Sequence, residues 1–223
     1  ENVDGIGTGI AQSQTLNTFT LQLAGCGKIL NIVEIGRGIA QSQTLNSFTL
    51  NLHGLPEPKV DEIGKGIAQS KVLSSFTLNL VGCTKLLNVD EIGKSIAQSQ
   101  TLSTFMLDLQ KCSEKLENVD EIGKGIAQSQ TLNAFTLDLS GCSQLENVDG
   151  IGRAIAQSQT LNTFALDLQG CSQLENVDGI GTGIAQSQTL NTFTLQLAGC
   201  GKILNIVEIG RGIAQSQTLN SFT

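Results

Sequence analysis

An Ile-Gly pair returns along this chain at almost constant spacing, and that recurrence restricts the fold more than any other feature. Its isoleucines are Ile6, Ile35, Ile63, Ile92, Ile122, Ile151, Ile180 and Ile209, separated by 29, 28, 29, 30, 29, 29 and 29 residues. Phe19, Phe48, Phe76, Phe105, Phe135, Phe164, Phe193 and Phe222 keep the same steps. Repetition at a period of 20–50 residues is the mark of a solenoid, because each unit is one supersecondary element that buries its apolar face only against the next. Nearly eight copies fill the 223 residues and leave no stretch for a second, unrelated domain.

Two periodicities share each unit. In the copy running from Asn118 to Glu146, Val119, Ile122, Ile126 and Ala127 fall at i, i+3, i+7 and i+8, one face of a helix. Asn118 precedes that face and Glu121 lies three positions on, which predicts a capping box with Asn in the Ser/Thr place. Gly123 and Gly125 each weaken the helix by roughly 1 kcal/mol relative to Ala, so a short helix held by its neighbours is expected. After the Gln128-Ser129-Gln130-Thr131 corner the period falls to two. Phe135, Leu137 and Leu139 alternate with Thr136 and Asp138, as in a strand with one buried face, and Gly141 ends it. Equivalent strands then pair in parallel from unit to unit. Strands sit about 4.8 Å apart and packed helices about 8–10 Å, so the helical layer becomes the outer, longer side of a curved stack. Glycines that let helices approach should flatten the curve.

The segment Leu132 to Leu145, with Leu137, Leu139, Cys142 and Leu145, resembles the strand-and-turn part of leucine-rich repeats. It is most similar to the ribonuclease-inhibitor-like and cysteine-containing classes, with a slightly longer strand as in ciliate-type repeats. The resemblance recurs in every unit. It implies an α/β leucine-rich-repeat solenoid with a parallel inner β-sheet and outer short helices, usually serving protein binding, and it implies no catalytic residue.

Composition narrows the function. With 13 Lys and Arg against 20 Asp and Glu, the formal charge of −7 disfavours a sequence-blind grip on nucleic acid or anionic lipid. No apolar run approaches the roughly 20 residues a membrane span needs. The chain opens on Glu1 without a charged-then-apolar leader, which suits a soluble protein or a piece of one.

Cys26, Cys83, Cys112, Cys142, Cys171 and Cys200 share one repeat position, where Leu55 stands in the second unit. Their even number raises the possibility of disulfides. A single file of stacked thiols, at a site that also accepts Leu, points instead to reduced core residues. It favours a cytoplasmic setting and leaves an extracellular fibre open. No CxxC-like spacing suggests a metal. The Gly5–Gly9 run lacks the spacing of a phosphate cradle and recurs in the helices. His53, the single histidine, stands beside Pro56 and Pro58 without a repeated nucleophile to serve. Neither catalysis nor a cofactor is expected.

The outward residues of the strands are the candidate partner-binding face. One row holds Thr20, Thr49, Thr77, Thr136 and Thr194; a second holds Gln22, Asn51, Asn79, Asp108, Asp138, Asp167 and Gln196. A solvated sheet in which Thr simply suits strands explains them as well as a protein partner does, since interface hot spots favour Trp, Tyr and Arg. Thr-x-Thr triplets also resemble ice-binding sheets, fully so only at Thr18/Thr20 and Thr192/Thr194. The expected core rows are Phe19 to Phe193 together with the six cysteines.

Residues 1–49 are identical to residues 175–223, an offset of 174 residues or six units. The first unit starts at a helix and the last stops within a strand, without the polar caps that repeat arrays normally carry. Residues 1–223 therefore read as one uncapped solenoid segment of a longer array, either one chain or copies stacked end to end. A recent duplication or a designed chain is the plainer alternative. If the superperiod continues, the following residues read like Leu50 to Lys59. The expected role is a structural, non-enzymatic scaffold whose main partner is itself, with a protein-binding module as the alternative.

Overall fold

A computed structural model describes residues 3–26, 32–86, 88–112, 116 and 118–223; Glu1 lies outside these. Helix and strand alternate throughout. The helices are α1 (Asp4–Gln12), α2 (Val33–Gln41), α3 (Asp61–Gln69), α4 (Asp90–Gln98), α5 (Asp120–Gln128), α6 (Asp149–Gln157), α7 (Asp178–Gln186) and α8 (Val207–Gln215). The strands are β1 (Thr18–Gln22), β2 (Ser47–Asn51), β3 (Ser75–Asn79), β4 (Thr104–Asp108), β5 (Ala134–Asp138), β6 (Thr163–Asp167), β7 (Thr192–Gln196) and β8 (Ser221–Phe222). Each helix and its following strand form one coil, numbered alike. The strands make one sheet in chain order, every pair parallel, and register sets Phe19 beside Phe48, Phe48 beside Phe76, and so on to Phe222. The chain is an α/β repeat solenoid of leucine-rich-repeat-like build.

Register turns each repeated side chain into a column. Successive phenylalanine ring centroids lie between 5.5 and 5.8 Å apart from one end to the other. Beside them run Leu137 and Leu139 with their equivalents, and Ile122 and Ile126 from the helical side, in one continuous core against which Leu21, Leu195 and Leu197 pack partly buried. Aromatic neighbours at this spacing add about 0.5–1.5 kcal/mol beyond their buried area.

The two helix positions held in α5 by Gly123 and Gly125 face opposite ways along the stack. A Cβ on Gly123 would stand 2.4 Å from the carbonyl oxygen of Gly150 in the next coil; one on Gly125 would stand 2.2 Å from that of Gly93 in the coil before. Real Cβ atoms do not come so close, so the helical layer packs at a distance only glycine permits. The second position is the more forgiving, since Ser95 and Ala154 occupy it, both buried.

Three expectations need correction. Helix α5 begins at Asp120, with Val119 as its N-cap and no side-chain cap bond. Asn118 sits one residue earlier and accepts from the Asp120 N–H at 3.3 Å, while Glu121 pairs with Lys124 one turn on, so no capping box forms. Ala127 is half-buried rather than inside. In coil 1 Phe19 is only partly buried and Cys26 is exposed, unlike their equivalents in coils 3 to 7.

Two substitutions probe the columns. Phe135→Ala should lower the unfolding free energy by about 3–5 kcal/mol in denaturant titration, the cost of a large cavity. Gly123→Ala, which removes no contact, should still cost about 1–3 kcal/mol by overpacking the helical layer.

Candidate interaction surface on the strand face

Alternation along β1–β7 directs one set of side chains inward and the other out of the sheet. Register then aligns the outward set in two rows. The first is Thr20, Thr49, Thr77, Met106, Thr136, Ala165 and Thr194; the second is Gln22, Asn51, Asn79, Asp108, Asp138, Asp167 and Gln196. Thr20, Gln22 and Gln196 are exposed, and the other predicted face residues are half-buried. All twelve lie on this one face. Met106 is the one large apolar side chain exposed in the middle of it.

The second row has a structural duty that its sequence does not announce. Asn51 accepts from the N–H of His53 at 2.9 Å, Asn79 from Val81 at 3.0 Å, and Asp108 from Gln110 at 3.1 Å. Asp138 and Asp167 accept from Ser140 and Gln169, each at 2.8 Å. These are Asx turns, in which a short side chain two residues upstream replaces a backbone acceptor and bends the chain out of the strand. One oxygen of each carboxylate is thereby committed to the fold, and the second oxygen of Asp108 also accepts, from the Asn79 side-chain amide at 3.3 Å. Gln22 and Gln196, one methylene longer, stand exposed at the same position. Burial, with Asp138 adding to it, pushes the Asp108 carboxyl up, although the Gln110 N–H opposes the shift.

Beneath the turn lies the cysteine column. All six cysteines are free thiols, and Cys83, Cys112, Cys142, Cys171 and Cys200 are buried as expected, in contrast to Cys26. Each buried thiol donates to a leucine carbonyl in the preceding coil: Cys112 to Leu80 at 3.0 Å, Cys142 to Leu109 at 3.2 Å, Cys200 to Leu168 at 3.0 Å. Burial pushes Cys83 and Cys171 up to about 12 and Cys112 up to about 11, and raises Cys142 and Cys200 as well. Such thiols are poor nucleophiles. They serve as small core residues with one donor to place.

Two further devices went unread in the sequence. At the helix-to-strand corner, buried Ser129 accepts from the Leu132 N–H at 3.1 Å, and Thr131 donates to the Leu102 carbonyl of the coil before at 2.8 Å. The Gln-Ser-Gln-Thr-Leu recurrence carried that signal, since nothing in helix or strand patterning demands it. At the strand exit, Gly141 has φ +72°, and Lys111 occupies the same left-handed position with φ 58°. A lysine there costs about 1–2 kcal/mol that glycine avoids.

Open depressions also lie between neighbouring helices, one of them bordered by Asp149, Arg153, Gly183 and Gln186. Among the described residues no three His, Cys, Asp or Glu are grouped to hold a metal ion, and no helix is long and apolar enough to cross a membrane. Compared with known proteins, the chain matches no family model and no curated protein.

The thiols supply a check. In native protein a thiol reagent should label one cysteine, Cys26, and the remaining five only after denaturation. Unfolded thiols ionise near 9.0, whereas the buried ones hold their protons to about 11–12. Between those limits the unfolded state sheds protons that the folded state keeps, so stability should be complete below pH 9 and fall as pH rises toward 12. Denaturant midpoints measured from pH 8 to pH 11 test this, and Cys142→Ala should flatten the fall.

Proposed function

We propose that the chain is a structural scaffold element, a stretch of extended leucine-rich-repeat solenoid of the ribonuclease-inhibitor-like or cysteine-containing kind, without enzymatic chemistry. The observation that carries this reading is the six-coil superperiod. Residues 1–49 and 175–223 are the same, and between them the phenylalanine column continues unbroken. In a quasi-one-dimensional stack each coil is stabilised by its two neighbours alone, so length is added without redesigning a core. The polar groups of the interior agree with this role. Ser129, Thr131 and Cys142 each satisfy backbone within or between coils, and none is poised to attack a substrate.

One observation favours a second reading, recognition of a protein on the strand face. Met106 is exposed between flanking threonines, and the carboxylates of Asp108, Asp138 and Asp167 line up beside it over three coils. A basic or polar partner suits that surface. The Thr-x-Thr triplets carry an ice-binding reading less far, because Met106 and Ala165 interrupt the row.

Electron microscopy of native material separates these readings. Rods of uniform width, much longer than eight coils, are expected for the scaffold. Discrete short particles bound to a second protein would overturn it.

A further inference from the structure

Grooves between successive helices recur with the coils, so two of them can be compared position by position. The groove between α5 and α6 is bordered by Asp120, Gly150, Arg153 and Gln157, and the space left in it is about 50 Å³. One coil on, between α6 and α7, the same positions hold Asp149, Gly179, Thr182 and Gln186, and the space is about 310 Å³. The exchange that matters is Thr182 for Arg153. In both grooves the aspartate leans over the glycine of the next coil, where a Cβ would stand 2.4 Å from Asp120 Oδ1 and 3.1 Å from Asp149 Oδ1. Over Gly150, Asp120 is met by Arg153, which spans the groove to it at 3.4 Å. Over Gly179 no such arm arrives, because the Thr182 hydroxyl turns along its own helix and donates to the Asp178 carbonyl at 3.2 Å. Among the described residues the Asp149 carboxylate has no hydrogen bond or ion pair.

Arg153 cannot serve both carboxylates. If it swings to Asp149, one turn behind it on α6, Asp120 is released, so two aspartates share one arginine. The depressions on either side are not short of a cation in this way. Between α4 and α5 Glu121 is paired with Lys124, and between α7 and α8 Glu208 is paired with Arg211. We propose that the groove between α6 and α7 binds an alkylguanidinium cation, seated against Asp149 as Arg153 is seated against Asp120 one coil earlier. A planar guanidinium suits the place because its forked donors match a carboxylate while a short alkyl stem lies along the groove. The neutral amides of Gln157 and Gln186 border the same groove and repel no cation. This chemistry can arrive as a free small molecule or as an arginine side chain of another protein.

Nuclear magnetic resonance titration of the whole chain at low salt is the test, with butylguanidinium chloride as the probe and sodium chloride at equal ionic strength as the blank. The Gly179, Thr182 and Gln186 amide signals should shift and saturate with butylguanidinium alone. The dissociation constant should be millimolar, because a single exposed charge pair contributes little. Thr182→Arg supplies the missing cation from the chain itself and should weaken binding about fivefold or more; Asp149→Asn removes the carboxylate and should do the same. Both positions are exposed, so circular dichroism should stay that of the wild type. A blocked glycyl-arginyl-glycine peptide forms the second arm. Binding at least as tight as that of butylguanidinium assigns the cation to a partner protein's arginine, and binding of butylguanidinium alone assigns it to a free small molecule. No saturable shift in the wild-type chain with either probe, or a Thr182→Arg chain that binds as the wild type does, would overturn the inference.

Discussion

A carbonyl oxygen of one helix resting against an α-carbon of the next is the contact on which this architecture depends. Strands in a ladder are fixed at about 4.8 Å by their hydrogen bonds, while helices with ordinary side chains stay about 8–10 Å apart. A solenoid joins both layers to the same coils, so every coil must reconcile the two spacings. Here the reconciliation is chemical. The glycine at this position is kept in all eight helices, and from α1 to α7 the carbonyl it admits from the next coil would collide with any Cβ placed there. The propensity lost at Gly123 and Gly125 is offset by packing that no larger residue allows, and for this reason α5 has no stability of its own to speak of.

In a closely packed core a buried polar group needs a hydrogen-bond partner, and neighbouring protein groups supply it here. The answer is a division of labour along the repeat. Serine holds its own corner, threonine reaches down to a leucine carbonyl, and cysteine does the same from the other side of the coil. The carbonyls they use have a second lone pair to give. That of Leu80 takes the Cys83 N–H as well as the Cys112 thiol. Bonds between coils therefore run through side chains as well as through the ladder, and register is pinned at three points around each turn.

The columns were legible in the sequence because a period is a positional fact: residues 29 apart in a stack must lie atop one another. Phe135, Leu137, Leu139, Ile122 and Ile126 stand inside as the two periodicities required, and the twelve strand-face residues stand outside. What stayed hidden depends on a shift of one residue or on a choice between equal hydrogen-bond partners. Asn118 has the composition of a cap but sits one position early, so its oxygen serves the Asp120 N–H and Glu121 is released to Lys124. The aspartates look like a binding stripe, and only the geometry of the strand exit shows one oxygen already committed. Cys26 is chemically the same as Cys142, yet one is exposed and the other buried, a difference that no local pattern records.

Coil 3 shows how much irregularity the stack absorbs. Its corner reads Ser70-Lys71-Val72-Leu73, so Val72 stands where the other corners have threonine, and the hydroxyl that reaches coil 2 is that of Ser74, which donates to the Asn46 Oδ1 at 3.0 Å. The turn leading into it carries Pro56 and Pro58, with Leu55 in the cysteine column. Yet Ser70 still accepts from the Leu73 N–H at 3.1 Å, the Pro56 carbonyl takes the Lys85 N–H at 3.1 Å, and Phe48 and Phe76 remain 5.7 Å apart. The one step of 28 residues is thus taken up in the turn, between Leu55 of the cysteine column and the start of α3. Tolerance in the turns and intolerance at the helical glycine are two sides of one constraint: coils may vary in outline provided the spacing between them does not.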